Sequence, residues 1–186
     1  MCCPLTVSGS HVYSRSAPEP GENPSLLRIF MPVIRVSESA VIPAPAAVVY
    51  DIIADYHNGH PRMLPPEYFG RLDVLSGGRG AGTRIRFEMK AFGRTNVAIG
   101  EVSEPIPGRE LRETLESGLV TTFLVEPIQP DESRVTFTTE YTKGGISGWI
   151  ESLLAPSYLR RVYVAELAQL SRVAASHSER GVEPAS

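Results

Sequence analysis

The stretch "TRIRFEMK", Thr83 to Lys90, alternates without a break: Thr83, Ile85, Phe87 and Met89 face one way, and Arg84, Arg86, Glu88 and Lys90 the other. A period of two marks a half-buried strand, because successive side chains of extended backbone leave opposite faces. The pattern recurs in "RVTFTTEY", where Val135, Phe137, Thr139 and Tyr141 oppose Arg134, Thr136, Thr138 and Glu140. It recurs again in "LVTTFLVEP" through Leu119, Thr121, Phe123 and Val125. Turn-forming clusters, "SGGRGAG", "FGR", "IPGRE", "ESG" and "QPDES", separate the runs. From Tyr68 onward the middle of the chain therefore reads as an antiparallel meander with one wet face.

Upstream of the meander the pattern changes. "MPVIRVSESAVIPAP" opens with apolar residues at Ile34, Val36, Ala40 and Ile42, which reads as a first strand. Pro43 and Pro45 then pre-set a helix, since proline is best tolerated in a first turn. In "AAVVYDIIADY" Val48, Val49, Ile52, Ile53 and Tyr56 recur at spacings of three and four and give one apolar face. Asn58 and Gly59, residues that readily take the left-handed conformation, and then Pro61 are expected to end that helix at the histidines. Downstream of "TKGG" the period is helical again. Ile146, Trp149, Ile150, Leu153 and Leu154 form one stripe, and Leu159, Val162, Tyr163, Leu167, Leu170 and Val173 another, with a break or kink expected at Pro156 between them.

At 186 residues with 42% hydrophobic and 21% charged content, one globular domain is expected. Residues 1–30, rich in Ser, Pro, Gly and Glu, read as a disordered extension, 31–178 as the domain and 179–186 as a disordered tail. The abrupt change of composition at Met31 suggests a second in-frame start there. The formal charge of −3, with arginines scattered along the chain, argues against nucleic acid as a partner. Both cysteines, Cys2 and Cys3, sit at the N-terminus, so no disulfide framework is expected. No apolar run approaches the roughly 20 residues that cross a bilayer, and the first 30 residues lack the apolar stretch of a secretory signal. The expectation is a cytoplasmic protein, monomeric or homodimeric, without integral membrane association. Acylation at Cys2 or Cys3 has no support from a myristoylation glycine or a polybasic patch.

"ADYHNGHPRMLPP", Ala54 to Pro66, holds two of the four histidines. Two readings stand side by side. Asp55, His57 and His60 could ligate a metal, but Gly59 and Pro61 interrupt the helix and no distant third ligand is visible, so no metal is expected. The residues are otherwise solvated groups at a helix terminus. In "ELRETLES" alternation puts Glu113 on the same inward face as Leu111 and Leu115, a costly place for a carboxylate unless it is paired or protonated. A slip of one residue in register would instead put it in water, and a buried pair would make it structural only. "GGRGAG" lacks the Lys-Ser/Thr ending of a phosphate loop and leads into a strand, so it reads as a turn. No nucleophile with an adjacent base is legible.

The order of elements resembles the helix-grip fold of the START-like (SRPBCC) superfamily, in its polyketide cyclase/dehydrase branch. "VIPAPAAVVYDIIAD" is similar to that family's first strand, proline turn and opening helix, and "GGRGAGTRIRF" to its glycine turn into the third strand. "VSEPIPGRELRE" is similar to a later strand, turn and strand, and "APSYLRRVYVAELAQL" to the final helix. The resemblance spans about Ile34 to Val173. It implies an α+β fold: a seven-stranded antiparallel sheet wrapped around a long C-terminal helix, two short helices after the first strand, and an internal cavity. It also implies that the segment after the first helix borders the cavity mouth. On that basis His60, Met63, Leu64, Phe69, Phe87, Met89, Glu113, Thr121, Phe123, Phe137, Thr139, Tyr141 and Tyr163 are the expected ligand contacts. Two functions follow as expectations. One is a carrier of a small hydrophobic or amphipathic molecule such as a lipid, isoprenoid or polyketide. The other is a cofactor-independent polyketide cyclase, aromatase or dehydratase, with His60, Glu113 or Tyr141 as general acid or base. A third class, an interaction module of the chaperone-cofactor kind, would need an apolar convex face, and Arg84, Arg86, Glu88, Arg134 and Glu140 argue against one.

Overall fold

The computed structural model describes residues 33–91, 93–142 and 156–180. The stripe from Ile146 to Leu154 lies outside the described residues, as do Cys2, Cys3 and His11. The elements are β1 (Val33–Ile42), α1 (Ala46–Ala54), α2 (Gly59–Met63), β2 (Phe69–Ser76), β3 (Arg84–Ala91), β4 (Arg94–Ile106), β5 (Glu110–Leu115), β6 (Val120–Gln129), β7 (Glu132–Thr142) and α3 (Pro156–Arg180). The seven strands form one antiparallel sheet in the order β1-β7-β6-β5-β4-β3-β2. β2 to β7 are a plain meander, and β1 closes onto the last strand, pairing Val36 with Thr139 and Ile42 with Ser133. The helix-grip architecture is thus present, with α3 packed along β1 and against α1 and α2.

The alternation predicted for the strands sets the register. Ile85, Phe87, Leu111, Phe123, Val125, Val135 and Phe137 are all buried and belong to one core cluster with Leu167 and Leu170 of α3. The opposite face carries ion pairs, Arg84 with Glu116 at 2.8 Å and Arg86 with Asp73 at 3.2 Å. Register shifts near Leu72, between Ser103 and Ile106 and at Pro127 mark bulges, which add bend and twist to a sheet that must curve around a helix.

α1 begins after Pro45, as its sequence predicts, but ends at Ala54, two residues before Tyr56. The left-handed stop expected at Asn58 and Gly59 is not what ends it. Asp55 adopts extended backbone and bridges to Arg79, the Tyr56 N–H donates to the Gly78 carbonyl at 2.9 Å, and the Gly80 N–H donates to the Ala54 carbonyl at 3.0 Å. A non-local bridge to the glycine turn therefore closes the helix. Gly59 is needed for a different reason: a Cβ there would stand 2.4 Å from the Ile52 carbonyl oxygen. Backbone cannot yield as a side chain does, so Gly59→Ala is expected to cost about 1–3 kcal/mol. Urea unfolding of the variant checks this, and an unchanged midpoint would contradict it. Pro61 falls in the first turn of α2, and Pro156 is the first described residue of α3, so the break or kink expected there falls at the edge of the described residues.

Candidate functional site

The two histidines of "ADYHNGHPRMLPP" go to opposite sides of the chain. His57 is exposed and lies against Gly78, where its Nε2 stands 2.0 Å from the position a Cβ would take. Asp55 accepts from the N–H groups of His57 and Asn58 at 3.0 and 3.1 Å. Although partial burial works against it, these bonds from Asn58 and His57 and the nearby Arg79 hold the Asp55 carboxyl below its ordinary range. Among the described residues no group of three or more His, Cys, Asp or Glu is placed to hold a metal. His60 points inward and is 3% exposed.

His60 is fixed by three contacts. Its Nδ1 lies 2.7 Å from the Ile53 carbonyl oxygen, which can only accept, so Nδ1 carries the hydrogen. Its ring stacks on Tyr56 with centroids 4.3 Å apart and meets the Phe123 ring at its edge at 5.7 Å. The remaining nitrogen, Nε2, faces Glu113 Oε1 at 3.6 Å. The same oxygen accepts the Tyr56 hydroxyl at 2.6 Å. Glu113 is 7% exposed and paired across β5 with Val102 and Thr121, so alternation placed it on the inner face as expected. Burial first, and then the charge of Glu113 and its hydrogen bond, raise the Tyr56 hydroxyl well above the ordinary tyrosine range. Tyr56 therefore stays a donor, and Glu113 Oε1 a satisfied acceptor.

His60, Glu113 and Phe123 of this constellation stand in the wall of a cavity between the sheet and α3, with Tyr56 behind them. His60 and Leu64 line it beside α2, Phe69 and Leu72 from β2, Ile85, Phe87 and Met89 from β3, and Glu113 and Leu115 from β5. Leu119, Thr121 and Phe123 line it near β6, with Thr139 of β7 and Leu159, Val162, Tyr163 and Glu166 of α3. A second polar group crosses the interior: Thr121 and Thr139 share a hydrogen bond of 2.8 Å, and the Thr139 hydroxyl also bonds that of Tyr163. Burial raises the Tyr163 hydroxyl as well. The space open to the centres of water molecules is about 60 Å³, within about 620 Å³ of atom-free space that includes the opening to solvent.

Of the contacts expected from sequence, His60, Leu64, Phe69, Phe87, Met89, Glu113, Thr121, Phe123, Thr139 and Tyr163 are in this wall. Met63, Phe137 and Tyr141 are buried but lie outside it. Met63 and Phe137 are part of the main core, Phe137 behind Phe123 with ring centroids 4.7 Å apart. Tyr141 packs with Val36, Leu119 and Leu159 in a second cluster. The tyrosine that meets Glu113 is Tyr56 instead. Sequence reasoning also missed Glu166, although its position was legible: it stands three residues from Tyr163 and four from Val162 and Leu170, inside the apolar stripe of α3.

An open antiparallel sheet gripping a long helix over a lined cavity defines the START-like class. The chain belongs to the family described as polyketide cyclase/dehydrase and lipid transport, whose model matches residues 33–175. No curated protein matches the chain in sequence. Among solved structures it is similar to the KanY protein at 28% identity and TM-score 0.65, covering 76% of this chain and 97% of that one. It is also similar to a START superfamily protein from Mycobacterium smegmatis, at 19% identity and TM-score 0.59 with 75% and 98% covered. A third is the Zhui aromatase/cyclase from a Streptomyces species, at 18% identity and TM-score 0.60 with 81% and 96% covered. Among the described residues no helix is long and apolar enough to cross a membrane.

Proposed function

We propose that this protein binds and carries a small, largely apolar molecule in the cavity between the sheet and α3. The observation that supports it best is the lining itself: Leu, Ile, Val, Phe and Met side chains interrupted by Glu113, Glu166, His60, Thr121 and Thr139. A core built only for stability would fill such a space with hydrocarbon, because each buried polar group has a desolvation cost. An apolar wall with a few convergent polar groups is what small-molecule sites have in common. At roughly 25 cal/mol per Å² of apolar area, a guest burying about 300 Å² gains about 7 kcal/mol before the costs of association are subtracted.

A space of about 60 Å³ for water centres holds a handful of waters and not a lipid chain. Entry of such a guest therefore requires side chains to move, and Met89, with its flexible thioether, is suited to yield. Native mass spectrometry of protein purified from its own host is expected to show a one-to-one adduct with a small molecule. Unadducted protein in repeated preparations, together with no thermal shift from a panel of lipids, would overturn the reading.

The arrangement of Tyr56, Glu113 and His60 favours a second reading, a cyclase, aromatase or dehydratase acting in the same cavity. A carboxylate and an imidazole 3.6 Å apart can pass a proton to and from a substrate held beside them. On that reading His60→Gln and Glu113→Gln each lower turnover of a poly-ketone chain by about 100-fold or more, the lower bound for losing general acid-base help. Unchanged turnover in both would end it.

A further inference from the structure

Glu166 projects from α3 into the cavity wall, yet it takes no part in the network around Glu113. It is 4% exposed, and its carboxyl has no hydrogen bond or ion pair with any other described residue. The charged group that acts on it is Glu113, from β5; Tyr163 lies on its own helix, and Tyr56 and His60 lie against Glu113. Among the described lining residues there is no lysine or arginine. An ionised Glu166 would therefore be desolvated, unpaired and repelled by Glu113. A protonated one keeps a strong O–H donor that nothing in the described wall accepts.

We propose that Glu166 is a neutral carboxylic acid that donates its hydrogen bond to a carbonyl oxygen of the guest, so that the cavity selects apolar molecules bearing a carbonyl. The proposal rests on the reading of the cavity as a guest site. Burial, and then the charge of Glu113, raise the Glu166 carboxyl well above the ordinary range, in keeping with the neutral form. Glu113 Oε1 is already occupied by Tyr56, and the Thr121 and Thr139 hydroxyls are engaged with each other and with Tyr163. The free donor is thus on α3, and a guest oxygen placed there leaves its hydrocarbon against Leu159, Val162 and Phe87.

The test compares three probes of one skeleton: methyl naphthyl ketone, ethylnaphthalene and naphthylethylamine, titrated at pH 7 against wild type, Glu166→Gln and Glu166→Leu. Wild type is expected to prefer the ketone over the hydrocarbon by about tenfold, the worth of one net hydrogen bond. Glu166→Gln, which keeps a donor, retains most of that preference, and Glu166→Leu loses it while still binding ethylnaphthalene. A ketone preference that survives Glu166→Leu overturns the proposal, as does an amine that wild type binds more tightly than the ketone and that Glu166→Gln no longer does, which would mean an ionised Glu166. Ethylnaphthalene binding with no ketone preference in wild type sinks this inference alone. If no probe binds, the guest-site reading falls with it. Infrared difference spectra of wild type against Glu166→Gln decide the matter even if the leucine variant does not fold: an acid band at pH 7 supports the proposal and a carboxylate band contradicts it.

Discussion

Tyr56→Ala is expected to lower the unfolding free energy by about 4–6 kcal/mol, and Tyr56→Phe by about 1–3 kcal/mol. Tyr56 is 1% exposed and among the largest fully buried side chains. It joins the packing of α1 to the chemistry of the cavity. Removing the ring leaves a void beside His60, which stacks on it, and large-to-small changes of aromatic residues in cores cost about 3–5 kcal/mol by themselves. Removing only the hydroxyl leaves the ring packing intact and takes the 2.6 Å bond from Glu113. The buried carboxyl is then short of a donor, which is worse than losing both partners together. Against a total stability of about 5–15 kcal/mol, the alanine variant is marginal. Equilibrium unfolding in urea checks both values. Equal costs for the two variants would mean that the hydroxyl carries the whole effect and that the ring packing has been misjudged.

The second large effect concerns pH. Because burial and the charge of Glu113 raise the folded-state pKa of Glu166, the folded protein holds a proton that the unfolded chain releases above about pH 4.3. This contribution to stability is fully present below the unfolded pKa and is lost as pH rises toward the folded one. A single such proton gives a slope of up to about 1.4 kcal/mol per pH unit within that window. Glu166→Leu removes both the slope and the burial of an unpaired acid. Its stability is expected to exceed that of wild type by a margin that widens as pH rises from about 5. Asp55, whose pKa is lowered, contributes the opposite dependence at acid pH, but it is common to both proteins and cancels in the difference. Stabilities of the two proteins that stay parallel from pH 5 to pH 8 would contradict a raised pKa at Glu166.

Much of the architecture was legible because the sheet has one wet face. Where charged residues alternate with apolar ones, as from Thr83 to Lys90, a one-residue slip would expose Ile85 and Phe87, so the pattern defines both strand and face. That is also why Glu113 could be placed inward between Leu111 and Leu115. Alternation gives a face but not a depth, however. Phe137 and Tyr141 share the inner face of β7 with Thr139, yet Phe137 is covered by Phe123, and Tyr141 is packed with Leu119 and Leu159. Partners distant in sequence were not legible either. The bridge from Asp55 to Arg79 that ends α1, and the bond from Tyr56 to Glu113, depend on how separate segments meet. Glu166 differs from these, since a carboxylate at a core position of a helix is a signal that periodicity alone exposes.

Whether a guest binds between the sheet and α3 can be read from isotope-filtered NOE spectra of the labelled protein with saturating, unlabelled methyl naphthyl ketone. Binding in the cavity gives contacts from the naphthyl protons to the methyl groups of Leu64 beside α2, Leu115 of β5, and Leu159 and Val162 of α3, and this is the expected result. Contacts confined to exposed side chains such as Val97 and Ile128, or no bound state at any accessible concentration, would refute a guest site there.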